Sequence, residues 1–331
     1  MSEPRDPVHG SYHAFYGVVR TYCGVPLAST REEVAAADVA IIGAPFDEGV
    51  SYRPGTRFGP SAVRTAEDIN QTGDRPSVNA GVDPLRELRI VDWGDIDVVA
   101  SDLARSHDLL AEAVGAAMAV DTIPVVIGGD HSLSHAMLRA MHDRFGADGY
   151  AVIHFDTHAD TGLDSEGEPP HGTPFRSAIE RGHLRGDAIY QIGLRGTWPG
   201  PELFQWMREQ GMRWASMAEI DERGLADVVH EAIHHAGARP TYLTVDIDVL
   251  DPAFAPGTGT PEPGGLSTRE LLPAVRTVAS SVELAAFDLV EVSPPYDHAD
   301  VTAMAGHRVI LEGLNGIALR RTGRTAQPER P

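Results

Sequence analysis

The chain has 331 residues, 42% hydrophobic and 23% charged, with 48 acidic against 27 basic side chains and a formal net charge of -21. That balance argues against a nucleic-acid or anionic-membrane partner and favours a neutral or cationic small molecule. All 27 basic residues are arginine, which excludes a Schiff-base or P-loop lysine, and the single cysteine, Cys23, excludes an intrachain disulfide and a Cys-ligated zinc site.

Cys23 has no activating neighbours in sequence and reads as a bystander thiol. The opening MSEPRDPVHG lacks the apolar or basic amphipathic pattern of a targeting segment. No apolar run approaches the roughly 20 residues of a membrane span. A cytoplasmic protein is expected.

Residues 1–35, rich in Pro, Gly and aromatics (Tyr12, Phe15, Tyr16, Tyr22), are expected to be an irregular arm that packs on the body or on a neighbouring subunit. Residues 39–46 are continuously apolar, as in a strand buried on both faces. Residues 51–60 form a loop by their Pro and Gly content, and Pro60 starts a helix to about Asn70. A second strand covers 88–93, and Ser101 caps an Ala-rich helix to about Val120. Residues 123–127 make a third strand, 132–145 have helical spacing and 150–155 make a fourth strand. A polar loop, 161–173, leads to a short helix ending near Arg181. Strands recur at 189–194, 213–216, 241–245 and 285–292, with helices at 201–210, 225–236, 268–282 and 301–319. Residues 321–331 read as a flexible polar tail. This alternation predicts one three-layer α/β/α domain over 36–320, built on a mostly parallel central sheet of about eight strands. In such sheets ligands collect at the carboxyl ends of the strands, where His131, Asp156, Asp246 and Glu291 fall.

The chemistry concentrates in three strings. In Asp156-Thr157-His158-Ala159-Asp160 an extended chain would turn Asp156, His158 and Asp160 to one side. Carboxylates converging there with no basic neighbour would repel, and a divalent cation is the simple remedy. Gly128-Gly129-Asp130-His131-Ser132 and Asp246-Ile247-Asp248 complete the set. His131, Asp156, His158, Asp160, Asp246 and Asp248 supply imidazole and carboxylate without thiolate, which suits Mn²⁺ or a related ion better than structural zinc. Two bridging aspartates would let the set hold two ions about 3.5–4 Å apart, able to acidify water for hydrolysis.

These strings resemble the metal motifs of the ureohydrolase family, which comprises arginase, agmatinase and related guanidino-compound hydrolases. The resemblance continues through 253–261, 264–266 and 288–294 and covers about residues 38–320. It implies the arginase/deacetylase-like fold and two Mn²⁺ per subunit, with Ni²⁺ able to fill the same ligands. His131, Asp156, Asp160 and Asp246 would hold one ion, and Asp156, His158, Asp246 and Asp248 the other, with Asp156 and Asp246 bridging. Hydroxide would attack the guanidinium carbon, giving urea and an amine. His171, in His171-Gly172-Thr173-Pro174-Phe175, matches the family's proton-shuttling histidine. Glu291 matches the carboxylate that pairs with the guanidinium, where a bidentate contact is favoured. A trimer or hexamer is also implied.

The pattern is most similar to agmatinases, and similar too to the guanidinobutyrase and proclavaminate amidinohydrolase groups. Thr157 stands where alanine is common in the family. Residues 161–171 lack the asparagine-containing loop with which arginases hold the amino-acid end of arginine. The acidic chain tilts the expectation to agmatine, whereas Arg53 or Arg176 near the pocket would favour a guanidino acid (4-guanidinobutyrate, 3-guanidinopropionate or a proclavaminate-type substrate). Arg53 and Arg57 could instead brace a subunit interface. Thr260 could orient Glu291, Asp130 and Asp251 read as cap or turn residues, and His234-His235 as a solvated face. A mononuclear zinc deacetylase relative would lack Asp160 and Asp248, and a non-catalytic homologue would lack His171 or Glu291. All four residues are present.

Overall fold

Each apolar run read as a strand forms one, and all eight strands lie parallel in a single sheet. The computed structural model describes residues 20–66, 75–163 and 170–326. The strands are β1 (Val39–Ala44), β2 (Ile90–Asp95), β3 (Ile123–Gly128), β4 (Ala151–Phe155), β5 (Ile189–Leu194), β6 (Arg213–Ser216), β7 (Pro240–Asp246) and β8 (Glu283–Val290). Their order is β2-β1-β3-β8-β7-β4-β5-β6.

Parallel neighbours need long crossovers, which here are mostly helical. The helices are α1 (Arg31–Ala35), α2 (Gly59–Thr65), α3 (Pro84–Glu87), α4 (Leu103–Ala119), α5 (Ser134–Phe145), α6 (Pro174–Glu180), α7 (Pro201–Glu209), α8 (Met217–Arg223), α9 (Leu225–Ala236), α10 (Thr268–Ser281) and α11 (Val301–Thr322). Alternate residues of one strand enter different cores. Val39 and Ile41 join Val63, Val275, Val309 and Ile310 on one face. Ala40 and Ile42 join Leu110, Val114, Met137 and Met141 on the other. With both faces covered, every residue of β1 and β4 is buried, which is why their sequences show no polar alternation. Each fully buried Val, Ile or Leu side chain contributes roughly 1.5–3 kcal/mol. No helix among the described residues is long and apolar enough to cross a membrane.

Some boundaries differ from the sequence reading. Ser101 has φ 64 and does not cap; Asp102 caps α4, its Oδ1 accepting the Arg105 N–H at 2.9 Å. Residues 31–35 of the expected irregular arm are helical, closed by a Thr30/Glu33 capping box. The short helices α1, α3 and α8 span too few turns to show a periodic pattern. α11 runs past residue 320, the expected end of the domain. Residues 1–19 of the arm (with Tyr12, Phe15 and Tyr16), 67–70 of the helix expected from Pro60, 164–169 of the polar loop and 327–331 of the tail lie outside the described residues. Tyr22 is buried, its N–H on Asp92 and its hydroxyl on the His307 carbonyl. Cys23 is also buried, with Sγ 3.6 Å from His307 Nε2.

The order matters most at the centre. β3 and β4 follow one another in the chain, yet β8 and β7 lie between them. The four carboxyl ends that carry the candidate ligands and Glu291 are therefore consecutive neighbours around one crevice, as expected where strand order reverses.

Candidate metal centre and active site

Local turns aim each side chain. Asp246 ends β7 and caps a 3-10 turn, Ile247–Val249; its Oδ1 accepts the Asp248 N–H at 2.8 Å, leaving Oδ2 for the crevice. Asp156 follows β4 directly, and its Oδ1 accepts the His158 N–H at 2.5 Å. Asp156, His158 and Asp160 thus converge through a turn, correcting the strand alternation expected from sequence. Asp160 sits at φ 49, a left-handed conformation that costs a non-glycine residue roughly 1–2 kcal/mol. His131 opens a 3-10 turn capped by Asp130, whose Oδ1 accepts the Ser132 N–H at 2.9 Å and Oδ2 the Gly49 N–H at 2.8 Å.

The six expected ligands meet at the crevice. His131 Nδ1 lies 3.1 Å from Asp156 Oδ2, 3.0 Å from Asp160 Oδ2 and 3.2 Å from Asp246 Oδ2. His158 Nδ1 lies 3.1 Å from Asp248 Oδ2 and 3.6 Å from Asp156 Oδ1. Asp156 is common to both groups. The donor set fits divalent cations on a specific observation: His131 Nδ1 is buried and has no hydrogen-bond partner, although three carboxylate oxygens surround it. On the far side of the ring, Nε2 stands 3.1 Å from Thr244 Oγ1. When Nε2 donates to that hydroxyl, Nδ1 keeps a lone pair, the arrangement a metal-binding imidazole adopts.

Charge in the cation-free cluster is frustrated. Burial opposes protonation of His131 and His158, but the carboxylates around them prevail, raising His131 well above its usual range and His158 to about 12. Burial, then repulsion from Asp248 and Asp156, pushes Asp246 well up, and burial with Asp156 pushes Asp248 to about 6. Asp156 moves the other way: the histidines around it, His154 first, overcome burial and hold it well below the carboxylate range. Without cations the cluster can settle its charge only by retaining protons. Leaving buried carboxylates unpaired instead would cost on the order of several kcal/mol each.

Beside this cluster, Glu291 leaves β8 at φ 64 and turns its carboxylate into the crevice. Oε1 accepts the His131 backbone N–H at 2.9 Å and pairs with His171 Nδ1 at 2.8 Å. Oε2 is buried without a partner, 3.2 Å from where a Cβ on Gly259 would stand. The two-oxygen contact expected from sequence is therefore narrowed to one open oxygen, because the other is already taken. On the far side of His171, the Ser51 N–H donates to Nε2 at 3.1 Å and Ser51 Oγ lies 2.8 Å away. Burial lowers the basicity of His171, but the Glu291 charge outweighs it and lifts the pKa to about 9. The Ser51 amide favours a lone pair on Nε2 while Glu291 favours the charged ring, so the proton on Nε2 is the exchangeable one.

The weaker expectations part company here. Thr260 Oγ1 is 3.4 Å from Asp248 Oδ2 and braces that carboxylate; its neighbour Gly259 is the residue that adjoins Glu291. Arg176 is already committed, its Nε 2.8 Å from Glu180 and its guanidinium 4.6 Å from the Trp206 ring centroid. The Arg53 guanidinium lies between Tyr52 and Tyr296, 5.1 and 5.2 Å from their centroids, with no carboxylate partner among the described residues. Arg57 pairs with Asp47. Asp251 organises a turn by accepting the Ala253 and Gly264 N–H groups at 2.9 and 2.7 Å. His234 is exposed, but His235 is half-buried with its ring 5.9 Å from Tyr190, because α9 packs on β5 there.

Sequence reasoning missed four residues. His154, inside β4, places Nε2 2.8 Å from Asp156 Oδ2, and Gln191 reaches its other nitrogen from β5. Arg195 donates to the carbonyls of Asp248 and Glu262, both at 2.7 Å, and ties the ligand loop to the loop behind it. Trp198 flanks His158 at 6.1 Å between ring centroids. His154 was visible beside the Asp-Thr-His-Ala-Asp string, and its polarity within an apolar strand was the available signal. The other three gave no local sign.

The model of the arginase family matches residues 37–315. The chain is 41% identical to proclavaminate amidinohydrolase of Streptomyces clavuligerus over 282 residues, 84% of this chain and 87% of that one. It is 36% identical to guanidinobutyrase of Pseudomonas aeruginosa, covering 93% and 95% of the two chains, and 38% identical to agmatinase of Bacillus subtilis, covering 89% and 97%. Among solved structures, that of the S. clavuligerus enzyme superposes with a TM-score of 0.82 at 36% identity over 92% of this chain and 99% of its own. Trypanosoma cruzi formiminoglutamase, solved with Mn²⁺, superposes at 0.78 with 27% identity over 88% and 96%. In sequence along most of its length, and in its eight-stranded parallel sheet, this chain belongs to the arginase family.

Proposed function

We propose that this chain is a dimanganese hydrolase that cleaves the guanidino group of a small guanidino compound to urea and an amine. The observation that carries the reading is the buried, unpartnered His131 Nδ1 ringed by oxygens of Asp156, Asp160 and Asp246 within 3.2 Å. His131, Asp156, Asp160 and Asp246 would hold one cation, and Asp156, His158, Asp246 and Asp248 the other. Cations bound there acidify water toward neutrality and so supply the nucleophile of a hydrolysis.

The chain's own groups do the rest. Glu291 Oε2 accepts an N–H of the guanidinium, a charge-assisted contact, while Oε1 stays on His131 and His171. His171 gives up the Nε2 proton to the leaving amine as the carbon–nitrogen bond breaks, its ring held by Glu291 at Nδ1. Arg195 and Thr260 hold Asp248 in place from behind.

Agmatine is the leading substrate, on the acidity of the chain and the likeness to agmatinase. A guanidino acid is the second reading, favoured by the Arg53 charge, which no described carboxylate neutralises, and by the likeness to guanidinobutyrase. Urea release by the Mn²⁺-loaded protein from agmatine, 4-guanidinobutyrate, 3-guanidinopropionate and arginine decides between them. Urea from none of these, with one zinc bound per chain, would reject the proposal. A cytoplasmic trimer or hexamer belongs to the same reading, and light scattering that found a monomer would refute the assembly.

A further inference from the structure

We propose that Gln191 and His154 form a relay that fixes the orientation of Asp156, with His154 a positioning residue and not a cation ligand. The inference rests on the proposed metal site.

His154 and Gln191 are direct register partners on β4 and β5, and both are fully buried. Gln191 Nε2 lies 2.7 Å from the Ala159 carbonyl oxygen and 3.0 Å from His154 Nδ1. A carbonyl can only accept, so the amide nitrogen must face it; the flipped amide would set two oxygens against each other. The second hydrogen on that nitrogen points at His154 Nδ1, which must then offer a lone pair. The proton of the neutral ring is left on Nε2, where it is donated to Asp156 Oδ2 at 2.8 Å. Phe175 packs on the imidazole at 4.5 Å between centroids and blocks rotation.

This order of donors decides what His154 can do. Its ligand atom lies within 4.8 Å of those of His131 and Asp156, close enough to share a cation. Binding one through Nε2 would move the proton to Nδ1, directly against the Gln191 N–H. Donation to Asp156 instead occupies one lone pair of the aspartate common to both ligand groups and sets its rotation. Gln191 also holds the carbonyl of Ala159, the residue before Asp160. One amide on a neighbouring strand thereby steadies two candidate ligands, the role outer partners play at metal sites.

Mn²⁺ titration of the cation-free chain, with free Mn²⁺ read by electron paramagnetic resonance, tests the relay. Wild type should bind two Mn²⁺ per chain, and His154→Phe and Gln191→Leu should weaken binding about 10–100-fold. His154→Gln, which keeps an N–H donor toward Asp156, should recover part of the loss. Electron spin-echo spectra of loaded His154→Phe should retain the nitrogen couplings of both remaining histidines, and long-range ¹H–¹⁵N spectra of the wild type should show the Nε2–H tautomer. Loss of one histidine coupling, an Nδ1–H tautomer, or unchanged affinity in both variants would overturn the relay. A wild type that binds no Mn²⁺ would overturn the metal reading and the relay together. Two Mn²⁺ in wild type with unchanged variants would overturn the relay alone. If His154→Phe does not fold, Gln191→Leu, one step further from the crevice, carries the test.

Discussion

His171 Nδ1 stands 2.8 Å from Glu291 Oε1, an oxygen that also accepts the His131 backbone N–H. One carboxylate oxygen therefore ties His171 to the turn that presents the candidate ligand His131, and the other is buried without a partner.

Glu291→Gln removes the charge that outweighs burial at His171. The His171 pKa should fall from about 9 toward or below the usual histidine value of roughly 6.5. A raised histidine pKa stabilises the fold fully below the unfolded value and loses that contribution as pH rises through the folded one, so the variant should lose less stability than wild type between pH 7 and 10. Histidine NMR titration of the cation-free protein reads the shift. Titration still near 9 in the variant would show that Glu291 is not its cause.

Asp156→Ala or Asp246→Ala removes a carboxylate that reaches His131 Nδ1. Both should lose urea release by more than the roughly 100-fold expected for an outer partner, together with bound Mn²⁺. Metal analysis beside the urea assay checks this, and near-normal turnover in either variant would reject a shared ligand role.

Arg195→Met removes a guanidinium that satisfies the Asp248 and Glu262 carbonyls at 2.7 Å. Hydrogen bonds from a charged donor contribute about 1.5–3 kcal/mol, so a loss on the order of 3 kcal/mol is expected. Hydrogen exchange should rise in 246–251 and 260–266 before the rest of the sheet; unchanged protection in these segments would refute the clamp.

His107 gives the acid-side prediction. Burial, with help from His135 and Arg139, lowers its pKa to about 3, and Nε2 sits 3.0 Å from Ser132 Oγ. Between about pH 6.5 and 3 the unfolded chain binds a proton there that the folded one does not, so stability falls as pH falls, by up to about 1.4 kcal/mol per unit. His107→Gln should flatten the stability difference between pH 7 and pH 5 measured by urea unfolding. An unchanged difference would mean that His107 is not the group responsible.

The sequence by itself determined the strands, the larger helices and all six candidate ligands. Strands buried on both faces are written as local apolar runs, and carboxylates beside a histidine at a strand end are unusual enough to read without a fold. His171 and Glu291 were legible through the family resemblance, and the structure adds that only one oxygen of Glu291 is open. Only the tertiary structure decided how these parts meet. No local pattern says that β8 and β7 enter between β3 and β4, yet that order brings the three strand ends with candidate ligands and the end of β8, with Glu291, together. Gln191 finds His154 across 37 residues through strand register, and the Arg176 guanidinium finds the Trp206 ring in place of a substrate. Short-range propensity and solvent exclusion act on neighbours in the chain and leave a local record. Partners chosen by sheet order and register leave none, because any compatible strand could have supplied them.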